Sequence, residues 1–243
     1  MIAVLSDLHG NLESLEAVLA DAAAFSVDRI YCLGDLVGYG PDPIPCIEHA
    51  MSWDCVVRGD FEAAAIFDDD LEGWTALGTK QTVLRFRSQL REHPRREAIS
   101  QFLSSLPLGV ATAEALFVHG SPRNPQYEYL FPEDVQNLRK MEAVAQCFDG
   151  LCFCGHTHLP GLFHREGSGW TFTPPTGPEP GFRISGAQQI CNVGSVGQPR
   201  DGDPRACYVL FSPDRVTFRR VEYDIDRTRR KIRDQGAEDL PWT

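Results

Sequence analysis

The chain has 243 residues, 42% of them hydrophobic, and 23 Lys and Arg against 34 Asp and Glu, a formal net charge of −11. That acidity excludes a broad electrostatic surface for nucleic acid or an anionic membrane, and no run approaches the ~18 apolar residues of a membrane helix. Length and apolar content suit one substantial core, a single domain over 1–243 with no linker-like stretch.

The first element is an apolar run, Ile2 to Leu5, which reads as a buried strand and ends in Asp7 and His9. Residues two apart in an extended segment face the same way, so both can address one ion. A strand that begins at once and supplies a ligand leaves no place for a signal peptide before it, and a cytoplasmic location is expected. After Asn11, the spacing of Leu12, Leu15, Leu19 and Ala22 predicts a helix whose free N–H groups favour an anion, which puts Asn11 among the expected substrate contacts.

The second strand reads R-I-Y-C-L-G-D, with Gly34 turning the backbone and Asp35 emerging at its end. Tyr39 follows between glycines, placed either to pack or to stack on a base or aromatic leaving group. A third strand, D-C-V-V-R-G-D, ends in Asp60 by the same device. Residues 74–106 read as two helices with stripes at Val83, Phe86 and Leu90 and at Ile99, Phe102, Leu103 and Leu106, broken near His93-Pro94. They form a helical insertion at about 62–108 that either packs on the edge of the domain or caps the site.

Farther on, L-F-V-H-G supplies His119, Pro132 to Phe148 reads as a helix, and L-C-F-C-G-H-T-H supplies His156 and His158. Short strands are expected near 110–118, 151–154, 161–164, 170–173, 188–192, 206–211 and 215–222. Thr173 to Gly186, with four prolines and three glycines, reads as a loop without regular structure. The alternation is that of an α/β (α+β) chain with two facing sheets and outer helices.

Each ligand island is weak alone, but five in order, all expected at strand ends, are not: Asp7, His9, Asp35, Asp60, His119, His156 and His158 can build a two-metal site. The remaining histidines, His49, His93 and His164, lack such context. Mixed imidazole and carboxylate ligands suit two divalent transition-metal ions, Mn, Fe, Zn or Ni. Of the eight cysteines, Cys32, Cys152, Cys154, Cys191 and Cys207 lie in apolar strand-like runs, where free Cys packs as a small hydrophobe.

In this order, D-L-H-G-N, G-D-L-V-G-Y-G-P, R-G-D, V-H-G-S-P and G-H-T-H resemble the calcineurin-like metallophosphoesterase superfamily. G-Y-G-P-D-P, H-G-S-P-R and N-V-G-S-V-G-Q-P-R are similar to its bacterial and archaeal branch of single-domain phosphodiesterases. The resemblance implies a four-layer αββα sandwich. It further implies that Asp7, His9, Asp35 and His158 hold one ion and Asp35, Asp60, His119 and His156 the other. By the same resemblance Asp35 would bridge them, with a bridging hydroxide as the nucleophile on small phosphodiesters or nucleotides.

The third motif departs from the family's usual G-N-H-D/E, reading Gly59-Asp60-Phe61-Glu62. Asp for Asn keeps an oxygen ligand and adds charge, whereas Phe61 cannot donate the proton that His would. General acid catalysis contributes roughly 10²–10⁴-fold, so poor leaving groups should suffer most. V-R-G-D-F also resembles the retromer complex's metallophosphoesterase-like subunit, a scaffold, which leaves a weakly active or non-catalytic metal-binding scaffold or regulator as the alternative. The retained His9 and Asp35 favour catalysis, carried by Asp35 and Asp60. The expected substrate contacts, besides Tyr39 and Asn11, are Arg123, Arg200 and the backbone N–H groups of Gly194 to Gly197.

Overall fold

The computed structural model describes residues 1–67, 71, 77–177 and 180–235. Its strands are β1 (Ile2–Leu5), β2 (Arg29–Cys32), β3 (Cys55–Val56), β4 (Gly109–Ala111), β5 (Leu116–Val118), β6 (Leu151–Cys154), β7 (Gly161–Glu166), β8 (Gly169–Thr173), β9 (Gly181–Arg183), β10 (Gln189–Asn192), β11 (Ala206–Ser212) and β12 (Arg215–Val221). Its helices are α1 (Leu12–Ala23), α2 (Pro43–Ala50), α3 (Asp60–Phe67), α4 (Leu77–Glu92), α5 (Arg96–Ser105), α6 (Leu138–Ala145) and α7 (Ile225–Asp234), with a 3-10 turn over Pro132–Gln136.

The strands form two six-stranded mixed sheets, ordered β3-β2-β1-β11-β12-β9 and β4-β5-β6-β10-β7-β8. The period-two alternation of β1 shows how they stack. Ile2 and Val4 enter a core shared with Tyr31, Phe117, Phe153, Val209 and Phe211 of both sheets, whereas Ala3 and Leu5 meet Leu15, Val18 and Ile47 of the helices. On the far side, Cys152, Cys154, Phe163 and Ile190 pack against Met141 and Val144 of α6. The result is the four-layer αββα sandwich. Cys32, Cys152, Cys154, Cys191 and Cys207 are fully buried in these layers, and every cysteine is free.

Strands β1, β2 and β3 run parallel in one sheet and β5, β6 and β10 in the other. Their carboxyl ends deliver the ligand islands to one edge, where α/β sheets gather ligands. No helix among the described residues is long and apolar enough to cross a membrane.

Several local expectations need correction. Asp60 does not end a strand: β3 stops at Val56, and Asp60 is the first residue of α3. The expected helix from Pro132 to Phe148 divides into the 3-10 turn and α6, because the Asn137 side chain accepts the Lys140 N–H and caps a new start. The expected strand at 110–118 is the hairpin β4–β5, turned by the Thr112 hydroxyl. The 173–186 segment is not wholly irregular, since β9 pairs with β12. The two helices expected over 74–106 are α4 and α5, with 74–76 outside the described residues. Helix α4 buttresses the loop after β2: Arg85 donates to the carbonyls of Tyr39 and Gly40 at 3.0 and 3.2 Å.

Helix α7, which the sequence analysis omits, docks through Thr228 on Asn11 and Glu13. A second tie joins α1 to β11 and β12: Asp21 accepts the Tyr208 hydroxyl at 2.7 Å and is gripped by Arg219 at 2.8 and 3.0 Å. Burial opposes ionisation of Asp21, but these donors outweigh it and hold the carboxyl below its ordinary 3.8. With a depressed folded-state value, the tie's contribution is full above about pH 4 and is lost as pH falls through that lower value. Melting curves should show Asp21→Asn closing on the wild type below pH 4; a constant gap down to pH 2 would sink this account.

Candidate metal centre

Asp7, His9 and His158 each present a donor atom, all within 4.8 Å of one another; so do Asp35, Asp60, His119 and His156. Asp35 stands between the groups, with Oδ2 3.7 Å from His9 Nε2 and 3.6 Å from His119 Nε2. His119 Nε2 is also 3.7 Å from Asp60 Oδ1, and His158 Nε2 is 3.2 Å from Asp7 Oδ1.

The side chains do not converge by strand alternation, which corrects the expectation for Asp7 with His9 and for His156 with His158. Instead the backbone is left-handed at Asp7 (φ 54°), His9 (45°), Asp35 (54°), His156 (66°) and His158 (61°). Such a conformation costs a non-glycine residue about 1–3 kcal/mol and persists only where surroundings over-determine it. Those surroundings are cross-links. Asp7 N–H donates to Gly34 O at 3.0 Å, His9 N–H to Asp35 O at 2.8 Å, and His156 N–H to Asp7 Oδ2 at 3.0 Å. The Asp60 turn closes so tightly on Asp35 that a Cβ at Gly59 would lie 2.1 Å from Asp35 Oδ1.

Glu62, quoted in the third motif but given no role by the sequence analysis, organises this junction. Its buried carboxylate accepts the N–H groups of Asp35 (2.8 Å), Gly59 (2.9 Å) and Val37 (3.0 Å), tying the Asp35 loop to the start of α3.

Three histidines have their orientation fixed from behind. Nδ1 of His9, His119 and His158 lies 3.1, 2.8 and 2.5 Å from the carbonyls of Val37, Leu33 and Gln198. Assigning the proton to Nδ1 satisfies each carbonyl and leaves Nε2 a bare lone pair. His9 and His158 then oppose two lone pairs at 3.0 Å, which repel unless a cation lies against both. Moreover, Asp7 Oδ1, Asp60 Oδ1 and His156 Nε2 are buried without a hydrogen-bond partner. Buried carboxylates without compensating cations are costly, so the donor set fits divalent ions.

Electrostatics point the same way. Burial, then the charges of Asp60, Glu62 and Asp7, push the Asp35 carboxyl well above its usual range. Burial would do the same to Asp60, but His119 and His156 pull it down to about 2. Burial, reinforced by His119, lowers His156 to about 4, and burial with His158 puts His9 well below its usual range. His9 and His156 are therefore neutral candidate donors at pH 7, whereas burial of His119 is outweighed by Asp60 and Asp7, which hold it above its ordinary value.

The expected substrate contacts fare unevenly. Asn11 is fully buried and its amide is committed internally: Oδ1 caps α1 at Ser14 and accepts from Thr228, and Nδ2 donates to Gly197 O at 3.0 Å. It is a brace, not a substrate contact. Three N–H groups of the Gly194–Gly197 loop are committed likewise, to Asn192 Oδ1, Ser6 O and Asp7 O at 2.9–3.0 Å, so the loop clamps the Asp7 turn. Arg123 is ion-paired with Glu128, which also accepts the Ser121 hydroxyl. Arg200 is exposed at the rim, with Cζ 5.9 Å from the Tyr39 ring and its charge felt by His9. Tyr39 is buried, its ring 4.9 Å from that of His9. Phe61 is buried beside both, edge-on to each at 5.1 Å. Of the histidines without context, His49 is exposed, while His93 and His164 are half-buried.

The model of the calcineurin-like phosphoesterase superfamily domain matches residues 1–215. The chain belongs to that superfamily. It is 32% identical over 240 residues to the uncharacterized protein MJ0912 of Methanocaldococcus jannaschii, covering 96% of this chain and 91% of that one. A metallophosphoesterase structure from Sphaerobacter thermophilus superposes with a TM-score of 0.80 at 36% identity, over 97% and 94% of the two chains. The hypothetical protein PH1004 of Pyrococcus horikoshii shares the fold, with a TM-score of 0.74 at 20% identity over 99% and 95%. Membership in this calcineurin-like superfamily makes the two ligand groups the candidate centre of a metal-dependent hydrolase.

Proposed function

We propose that this protein is a cytoplasmic dinuclear phosphoesterase that hydrolyses small phosphodiesters or nucleotides, and acts on neither large nucleic acids nor membranes. The observation that carries the reading is the position of Asp35 Oδ2, within 3.7 Å of a histidine from each ligand group. Asp7, His9, Asp35 and His158 would hold one divalent ion, and Asp35, Asp60, His119 and His156 the other. Bound there, two ions supply a water activated at neutral pH and a clamp on the attacking and leaving oxygens of a phosphoryl group.

The chain's own residues do the rest. Backbone carbonyls behind His9, His119 and His158 fix which nitrogen faces inward, and Glu62 holds the Asp35 carboxylate in register with Asp60. Arg200 offers a cation at the rim to an anionic substrate. Phe61 provides no proton for the departing oxygen, so esters with activated leaving groups, such as aryl phosphodiesters, are the better substrates.

The test is hydrolysis of an aryl phosphodiester and the matching monoester by metal-stripped protein titrated with Mn, Zn, Ni and Fe, alongside metal content per chain. Turnover appearing with about two ions and vanishing in His156→Ala supports the enzyme; bound metal without turnover of either ester transfers the case to the scaffold or regulator. Within the enzyme reading, Asp60→Asn with Phe61→His should raise turnover of alkyl esters by ~10²-fold or more while changing aryl esters much less. An equal change for both classes would refute the leaving-group argument.

A further inference from the structure

Behind the ligand groups lies a set of aromatic rings that the metal chemistry does not use. The Tyr129 ring stacks on His156 with centroids 3.7 Å apart and an interplanar angle of 20°, and the Phe131 ring is parallel to Tyr129 at 5.5 Å and 6°. Three nearly parallel plates thus lead outward from a candidate ligand. The outer two are 41% and 43% exposed, and Tyr127 beside them is 56% exposed. Exposed singly such rings are ordinary, but Tyr129 and Phe131 are stacked into one contiguous face, the arrangement that suits a binding surface.

The segment bearing them is firmly held. Gln126 is buried and donates to Gly59 O at 3.0 Å, which pins the segment to the Asp60 turn. Lys140 donates to Tyr129 O at 2.7 Å and to Asp134 at 2.6 Å, and the Phe131 N–H donates to the same Asp134 carboxylate at 2.8 Å. Arg123 and Ser121 secure Glu128, the residue before Tyr129. The rings therefore need little ordering when a ligand arrives, which preserves affinity.

We infer that the Tyr129–Phe131 ledge is a nucleobase subsite: a planar base stacks as the next plate while the phosphate lies at the ligand groups. The inference rests on the phosphoesterase reading and narrows it to nucleotides. Two ring-to-ring steps of 3.7 and 5.5 Å separate the His156 ring from that of Phe131. A ribose and one or more phosphates span such a gap. Stacking is tolerant of base identity, because every base has a π-face.

The test compares binding of adenosine and guanosine monophosphates with that of ribose 5-phosphate to the full-length protein, by calorimetry, with saturation-transfer NMR reading the base protons. The nucleotides should bind tighter by ~10-fold or more, the range that one base–aromatic stack gives. Phe131→Ala should reduce that ratio to within about threefold of unity, while Phe131→Trp and Tyr129→Phe preserve it. A wild-type ratio near one, or a ratio that survives Phe131→Ala, overturns the subsite. Phosphoester turnover with a ratio of one sinks the subsite and leaves the phosphoesterase standing. Absence of turnover with the base-dependent ratio intact sinks the phosphoesterase and keeps the subsite.

Discussion

Asp35→Asn should empty both ion sites while making the metal-free protein more stable. The Asp35 Oδ1 accepts the Phe61 N–H at 3.1 Å, and an asparagine carbonyl placed there keeps that bond. Its neutral amide then occupies the position of Oδ2, 3.7 and 3.6 Å from the His9 and His119 Nε2 atoms, where a carboxylate had to be buried beside Asp7, Asp60 and Glu62. Relief of that repulsion raises the metal-free melting temperature. The same change takes a negative charge from an oxygen that lies within 3.7 Å of a histidine of each group, so metal content per chain falls sharply. Activity should drop by more than the ~10–100-fold typical of losing a mere supporting partner. Undiminished metal content in the variant would show that Asp35 is not the bridge.

Glu62→Gln should be damaging in both respects, although Glu62 has no place in either ligand group. The two carboxylate oxygens accept three backbone N–H groups, Oε2 from Asp35 and Gly59 and Oε1 from Val37. A glutamine satisfies at most one of these oxygen positions and sets its own N–H₂ against a donor at the other. An unsatisfied buried donor costs about 1–3 kcal/mol, visible as a lower denaturation midpoint. The Asp35 loop also loses its tie to Gly59, so metal affinity should fall by ~10–100-fold, as for other partners behind a ligand. Wild-type affinity in a folded Glu62→Gln protein would contradict this role. Glu62→Ala, which abandons all three N–H groups, should lose more stability still.

The apolar runs and the ligand islands were legible because burial and strand alternation leave a local imprint: Ile2 to Leu5 is a buried strand with two faces, and the islands do meet at one edge. Glu62 was not legible in its role. Its three N–H partners lie up to 27 residues away and carry no side-chain signature. The Gly194–Gly197 loop shows the opposite failure. Its glycines suggested open N–H groups for phosphate, but the close approach they permit is to the Leu8 carbonyl, 1.8 Å from where a Gly197 Cβ would stand. Tyr129 and Phe131 carry no motif of their own, and only the fold brings His156 beneath the Tyr129 ring.

The left-handed backbone at five ligand residues also bears on how the chain can change over time. Glycine adopts that conformation at no steric cost, and Asp7, His9, Asp35, His156 and His158 all hold it with a Cβ. A lineage that had given up ions would gain stability from drift toward glycine at each of these positions. Five candidate donors share this backbone state, each at a steric cost that glycine would avoid, so the side chain and not the backbone sets the residue expected at these positions.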